Sequence, residues 1–516
     1  MNRKILIFEK MKRSKTKLLF GLLFLENYFP GVLSAQNIDT LCIKVASVYQ
    51  NISIGEGNTG FIDMPEEIKE ITDSKTEFIY RGFWRWVWVP DSAATAPNPN
   101  YGKLGYTYQQ LSDAIRVIKD SLPNIIISGS VPAQKIDSLE INDLTEDTLH
   151  TDSTWIMALD PGKWGIPVSK NTIQNYLASQ LYNNNGSYYP DITNTGFQKL
   201  LLDWVKKQIN CGLDAIFIDM LYSQAGILEN LTGNINHPAV QESYNAATHI
   251  INEIHNYGNS IGRYIYIGTW SAQLINMPYP KPKLDFVTVS IASDEIINDS
   301  LYTSKWIAVR DSINNILGSI PIIVCLDWGF QNSPVEVFSQ QLDSLQQRKF
   351  LAKADTFFYN KNMTFAYPLH GGFMGASATK LSFGTSHTYH AAAPEFATLD
   401  TIIALGTGKT LMPWYCDTSA YVSAMYTSEN TGFLKIFPNP VTQTAILRFS
   451  LDKPTAVTLK IYHLTGGKTI VVFKNKLLQA EEYTIPIYMD NLQDGLYIIR
   501  LQSAESVQTA KMLIIK

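Results

Sequence analysis

Residues 197–219 read FQKLLLDWVKKQINCGLDAIFID. Leu200, Leu201, Trp204, Val205 and Ile209 recur at i, i+1, i+4, i+5 and i+9, with Lys206 and Lys207 on the other face, which predicts an amphipathic helix. Gly212 stands where a glycine closes such a helix. The next run, Ala215 to Ile218, is apolar without alternation. That pattern predicts a strand buried on both faces, as in a parallel sheet, and the run ends on Asp219.

The same unit repeats outward. Apolar runs at 77–82, 124–128, 155–159, 215–219, 264–268, 286–290, 321–326 and 364–367 alternate with helical patterns, and each gap is long enough for a crossover helix. Eight such runs predict an α/β chain folded as a (β/α)8 TIM barrel over residues 77–400. Residues 36–76 read as an N-terminal leader with a short strand of its own, Cys42 to Val48. The acidic, Thr-rich stretch Leu139 to Ser153 reads as a surface excursion, and 401–432 as a linker. No internal repeat has a period between 20 and 50 residues.

The two ends differ from the middle. Seven basic residues before position 36, including Lys12, Arg13, Lys15 and Lys17, precede the apolar run Leu18 to Leu25 and the small-residue exit Leu33-Ser34-Ala35. This predicts a secretory signal peptide over 1–35, and Met11 begins an equally good one. The run is shorter than the roughly 20 residues a bilayer requires, so no transmembrane segment is expected. Cys42 lies too far downstream for a lipid anchor. The four cysteines form no C-x-x-C pair and read as buried thiols.

From Phe433 the texture turns to short alternating strands: Ala445 to Phe449, Val457 to Tyr462, Tyr483 to Ile487 and Gly495 to Leu501, an all-β sandwich. The FPNP of 437–440, the KIYHLTGG of 460–467, the LQDGLYIIRL of 492–501 and the final KMLIIK resemble the type A C-terminal sorting domain of the type IX secretion system. The resemblance covers 433–516 and implies a Bacteroidetes-type cell, the type IX machinery as partner, and a secreted or outer-surface location. Residues 36–432 carry 25 basic and 38 acidic groups, net −13. A nucleic-acid partner would need a basic face, so none is expected.

A TIM barrel does its chemistry at the C-terminal ends of its strands. There the sequence offers Asp160, Asp219, Asp294, Glu295 and Asp327. Around them stand Arg81, Trp84, Trp86, Lys163, Trp164, Tyr222, Trp270, Trp328 and His370. Paired carboxylates with flat indoles suit sugar cleavage. Lys163 is expected to keep Asp160 ionised. His150, His237, His249, His255 and His370 give no metal-site spacing, and neither a metal nor an organic cofactor is expected.

The segment from Asp191 through Cys211-Gly212-Leu213-Asp214-Ala215-Ile216-Phe217-Ile218-Asp219 is similar to the fourth-strand signature of α-galactosidase-like and endo-α-1,4-polygalactosaminidase-like barrel glycosidases. The resemblance implies a secreted glycoside hydrolase acting on an extracellular poly- or oligosaccharide, with Asp219 as a catalytic carboxylate. Asp214, at the opposite end of that strand, reads as structural. Ala215 departs from the usual glycine. The partner acid is expected after the sixth strand, at Asp294 with Glu295 as its rival, or after the seventh, at Asp327. A non-catalytic carbohydrate-binding or surface-adhesion barrel is the competing expectation.

Overall fold

The computed structural model describes residues 41–52, 64–85, 97–98, 103–104, 107–179, 186–327, 332–374, 378–380, 387–409, 434–437, 441, 443–451, 453–463, 470–489, 492–503 and 507–514. They form two compact units divided between Cys416 and Asp417. The expected signal peptide, Trp86, Trp328 and most of the expected linker lie outside the described residues.

The first unit is a (β/α)8 barrel. Its strands are β1 (Ala46–Tyr49), β2 (Phe78–Trp84), β3 (Ile126–Pro132), β4 (Ala215–Asp219), β5 (Tyr266–Trp270), β6 (Phe286–Ser290), β7 (Ile322–Cys325) and β8 (Thr364–Phe373). Neighbours pair in parallel in chain order, and β1 also pairs in parallel with β8, which closes the ring. Two readings of the sequence are corrected here. The leader contains a barrel strand: β1 is short, and Ser47 within it turns its hydroxyl to Thr76 at 2.7 Å, which shortens the apolar run. The run at 155–159 is not a strand but falls largely in the helix Thr151–Met157, where Ile156 is 70% exposed and cannot enter a barrel wall. One gain offsets one loss, so β4 to β8 keep their expected places. The last helix, Leu399–Thr407, runs past the expected boundary at residue 400.

Alternation sorts the strand side chains into two cores. Phe78, Tyr80, Phe217, Tyr266, Phe286, Ile323 and Cys325 fill the barrel. Ile79, Ile216, Ile218, Ile267 and Val324 face the helices. Gly268 makes room inside, because a Cβ there would lie 2.0 Å from the Phe286 ring. The helix Thr195–Asn210 opens on Asn194, whose side chain accepts from the N–H groups of Gly196 and Phe197, and closes before Gly212 at φ +108°. Leu200, Leu201, Trp204, Val205 and Ile209 are all buried, so the predicted face is the packed one.

Between β3 and that helix the chain makes an excursion with its own apolar centre of Leu159, Ile173, Leu177 and Tyr189. The stretch Leu139 to Ser153 is largely exposed, as expected, but Glu140, Asn142 and Asp143 within it are buried and pin it down. The buried Arg85 donates to Asp143 at 2.7 Å and Glu140 at 3.0 Å, with its guanidinium 3.6 Å from the Trp204 ring centroid.

The second unit holds two antiparallel sheets. One contains Lys435–Phe437, Thr444–Ser450 and Glu482–Tyr488; the other contains Thr455–His463, Ile470–Leu478, Gly495–Gln502 and Val507–Ile514. Leu447 and Phe449 of the first share a core with Leu459, Ile461, Ile499 and Met512 of the second. The strand Ile470–Leu478 had no clean alternation to announce it, since it is an edge strand with most of its side chains exposed.

Candidate active site

The centre of the barrel mouth is built by an irregularity. β2 slips register against β3 between Ile79 and Phe83, and Arg81 adopts φ +57°. A residue in that left-handed region redirects its side chain, which is what bulges near functional sites do. Arg81 is thereby turned among rings that line the interior: its guanidinium carbon lies 4.6 Å from the Phe217 ring centroid, 4.8 Å from Trp84 and 5.4 Å from Trp270.

From there the fork reaches two carboxylates. Nη1 lies 3.3 Å from Asp327 Oδ1, and Nη2 lies 3.9 Å from Asp219 Oδ1. Burial works against the charge of Arg81, but Tyr80, Asp327 and Asp219 outweigh it, and the group stays above its ordinary value. The terminal nitrogens of a guanidinium are about 2.3 Å apart, so the two near carboxylate oxygens stand within about 9.5 Å of each other. A glycosidase pair needs about 5 to 9.5 Å.

Asp219 is held from both sides. Trp270 Nε1 donates to Oδ1 at 2.6 Å, and Gln134 Nε2 donates to Oδ2 at 2.7 Å. Met220, next in the chain, sits at φ +58° where strand turns into loop. Asp327 is less enclosed, with its side chain 22% exposed against 12% for Asp219.

The remaining candidates scatter. Asp294 is exposed on the short helix Ser293–Ile297, accepts from the Tyr302 hydroxyl at 3.0 Å, and makes no ion pair with Arg81 among the described residues. Glu295 is fully buried and accepts from Trp306 Nε1 at 2.7 Å, from the Tyr302 N–H at 2.8 Å and from Lys305, so it fastens the loop after β6 rather than facing a ligand. Asp160 caps the turn Pro161–Trp164. Lys163 pairs with Asp191 at 2.5 Å, not with Asp160. Trp164 donates to Glu242 at 2.8 Å. Tyr222 is buried against Tyr244, with its hydroxyl 2.9 Å from that of Thr248. His370 is buried beside Tyr49 and His390, with Nδ1 3.1 Å from the Gln50 carbonyl. Tyr222, Glu295 and His370 are thus packed among the described residues, each less than 5% exposed.

Of the expected residues, the fold gathers Arg81, Trp84, Asp219, Trp270 and Asp327. It adds Gln134, which the sequence did not suggest because β3 was expected to stop at Ser128. The continuing small and β-branched run Ser130-Val131 was the available signal. Among the described residues, no group of three or more His, Cys, Asp or Glu could hold a metal, and no helix is long and apolar enough to cross a membrane.

Residues 435–516 match the family model described as a secretion system C-terminal sorting domain. No curated protein matches the chain. Among solved structures, dimeric latent PorU from Porphyromonas gingivalis is similar at 20% identity over 17% of this chain, with a TM-score of 0.14; the chain spans only 10% of PorU. The cyclic α-maltosyl-(1→6)-maltose hydrolase of Arthrobacter globiformis is similar at 12% identity, covering 86% of this chain and 99% of that one, with a TM-score of 0.38. The γ-CGTase of alkalophilic Bacillus clarkii shows 10% identity over 89% of this chain and 74% of that one, with a TM-score of 0.40. Neither belongs to the α-galactosidase-like or polygalactosaminidase-like groups, and at these values neither likeness assigns a residue its role.

Proposed function

We propose that the barrel is a glycoside hydrolase whose carboxylate pair is Asp219 and Asp327, carried out of the cell by the type IX route and acting on an extracellular poly- or oligosaccharide. The observation that supports this reading is the single guanidinium of Arg81 reaching both acids at the C-terminal ends of β4 and β7. Asp219, fixed through both oxygens by neutral and cationic donors, suits the ionised role of nucleophile or general base. Asp327, the more exposed, suits the acid that gives its proton to the leaving glycosidic oxygen as the C–O bond breaks. The carboxylate spacing admits either stereochemical course.

The same fork also favours a second reading. An arginine shared by two carboxylates and flanked by Trp84 and Trp270 offers hydrogen bonds and stacking faces with which a barrel would bind sugar without cutting it. Reducing-sugar release from galactosaminoglycan-type, α-galactan, α-glucan and bacterial-envelope polysaccharides separates the two, with Asp219→Asn run beside the parent chain. Release that vanishes in Asp219→Asn is the expected result. Retention of a polysaccharide by both proteins without release would make the barrel a binding module.

A further inference from the structure

Gln134 bonds directly to one of the two candidate carboxylates. It lies two residues beyond β3, is 3% exposed, and donates through Nε2 to Asp219 Oδ2 at 2.7 Å. Its other polar atom, Oε1, is buried and has no hydrogen-bond partner among the described residues. A buried amide oxygen left unsatisfied destabilises a fold, and native proteins carry few of them. Swapping the amide's oxygen and nitrogen would not cure this, because it would set an oxygen against a carboxylate oxygen. Among the described residues, the hydrogen bond of its amide is the one to Asp219.

We propose that Gln134 is a positioning residue for Asp219. Its N–H fixes Oδ2 while the Trp270 indole fixes Oδ1, and together they set the plane of the carboxylate toward the mouth. This rests on the reading of Asp219 as a functional carboxylate and adds the group that orients it. Among the described residues no backbone N–H donates to the Asp219 carboxylate, which is held by these side chains and by Arg81. Orientation errors of a reacting carboxylate are costly to rate even when the ligand still binds.

Gln134→Met tests this in the full-length chain, because it keeps length and volume while removing both the donor and the unsatisfied oxygen. Turnover is expected to fall about 10- to 100-fold with KM nearly unchanged, the loss of one charge-assisted hydrogen bond in the transition state. The melting temperature is expected to stay within about 2 °C of the parent, since the unsatisfied acceptor deleted with the amide offsets the donor lost to Asp219 Oδ2. Gln134→Glu is the second variant: a carboxyl placed against Asp219 makes the pair share a site, and the acid limb of the pH–rate profile should move to higher pH.

A Gln134→Met protein that melts several degrees lower would show a structural residue and overturn the proposal. So would one that turns over at the parental rate. If the parent chain releases no sugar, the glycosidase reading has failed by itself. The melting comparison then still decides whether Gln134 serves the fold or Asp219.

Discussion

The two ends of β4 carry an aspartate each, and they are held in opposite ways. At the foot, Asp214 accepts from the backbone N–H of Ile127 at 3.0 Å, pairs with Lys119 at 2.5 Å, and meets Arg263 at 3.5 Å. Arg263 itself donates to the carbonyls of Ile209 and Leu213. Asp285 repeats the pattern before β6, accepting from the Ile267 N–H at 2.8 Å and the Tyr264 hydroxyl. At the mouth, the partners of the Asp219 carboxylate among the described residues are all side chains. A carboxylate bonded to a neighbouring strand's backbone ties the barrel together, whereas one bonded only to side chains can be removed with the ladder intact.

The largest effect separates these two ends directly. Asp219→Asn is expected to lower kcat about 10³- to 10⁴-fold with little change in melting temperature, as loss of an essential carboxylate does. Parental turnover in that protein would break the comparison. Arg81→Met comes next, at about 10²-fold, because removing the guanidinium leaves Asp219 and Asp327 facing each other unscreened. Its distinctive readout is the pH–rate profile, whose optimum should shift upward as one acid of the pair holds its proton longer.

Asp214→Ala should do the reverse of Asp219→Asn. Its charged partners are about a quarter to a third exposed, so solvent screens part of the pairing, and the expected loss is about 2 kcal/mol in a denaturation curve. The residual folded protein should turn over at the parental rate. A change in kcat at constant stability would mean that the foot communicates with the mouth.

The contrast also explains how far the sequence could be read. Asp219 was legible because an apolar run buried on both faces stopped on a carboxylate, and Asp214 because the same run began after one. Arg81 stood out as a charge inside an apolar run, but the bulge that turns it inward depends on the slip against β3, which no local pattern encodes. Asp294 and Glu295 are adjacent acids at a helix start, and only packing decides that Glu295 is swallowed by Trp306 and Lys305 while Asp294 faces water. β1 was misplaced because four residues with a central serine carry too little apolar signal, and the helix Thr151–Met157 because a short apolar run has no period long enough to tell helix from strand.

A third class of acid sharpens the comparison with the smallest effect. Glu70, on the helix Met64–Asp73, is buried and has no hydrogen-bond donor on either oxygen among the described residues, with His390 Nε2 3.6 Å away. Burial, and then the charge of Glu66, push it from an ordinary 4.5 to about 8, with Lys69 opposing. Glu67 beside it is raised by burial and by Glu70, while burial and the neighbouring His370 lower His390. A carboxyl whose folded-state value is raised keeps its proton in the native protein while the unfolded chain has lost it. The native state then binds more protons between about 4.5 and 8, and stability falls as pH rises through that window. Glu70→Gln removes the ionisation. The variant should match the parent near pH 4 and exceed it above pH 8 by about 1–2 kcal/mol, less than the full shift implies because water and His390 can relax around the charge. Denaturation curves at both pH values read this directly. A constant difference across the range would mean that Glu70 is already ionised in the fold and belongs with Asp214, as a carboxylate whose charge the structure uses.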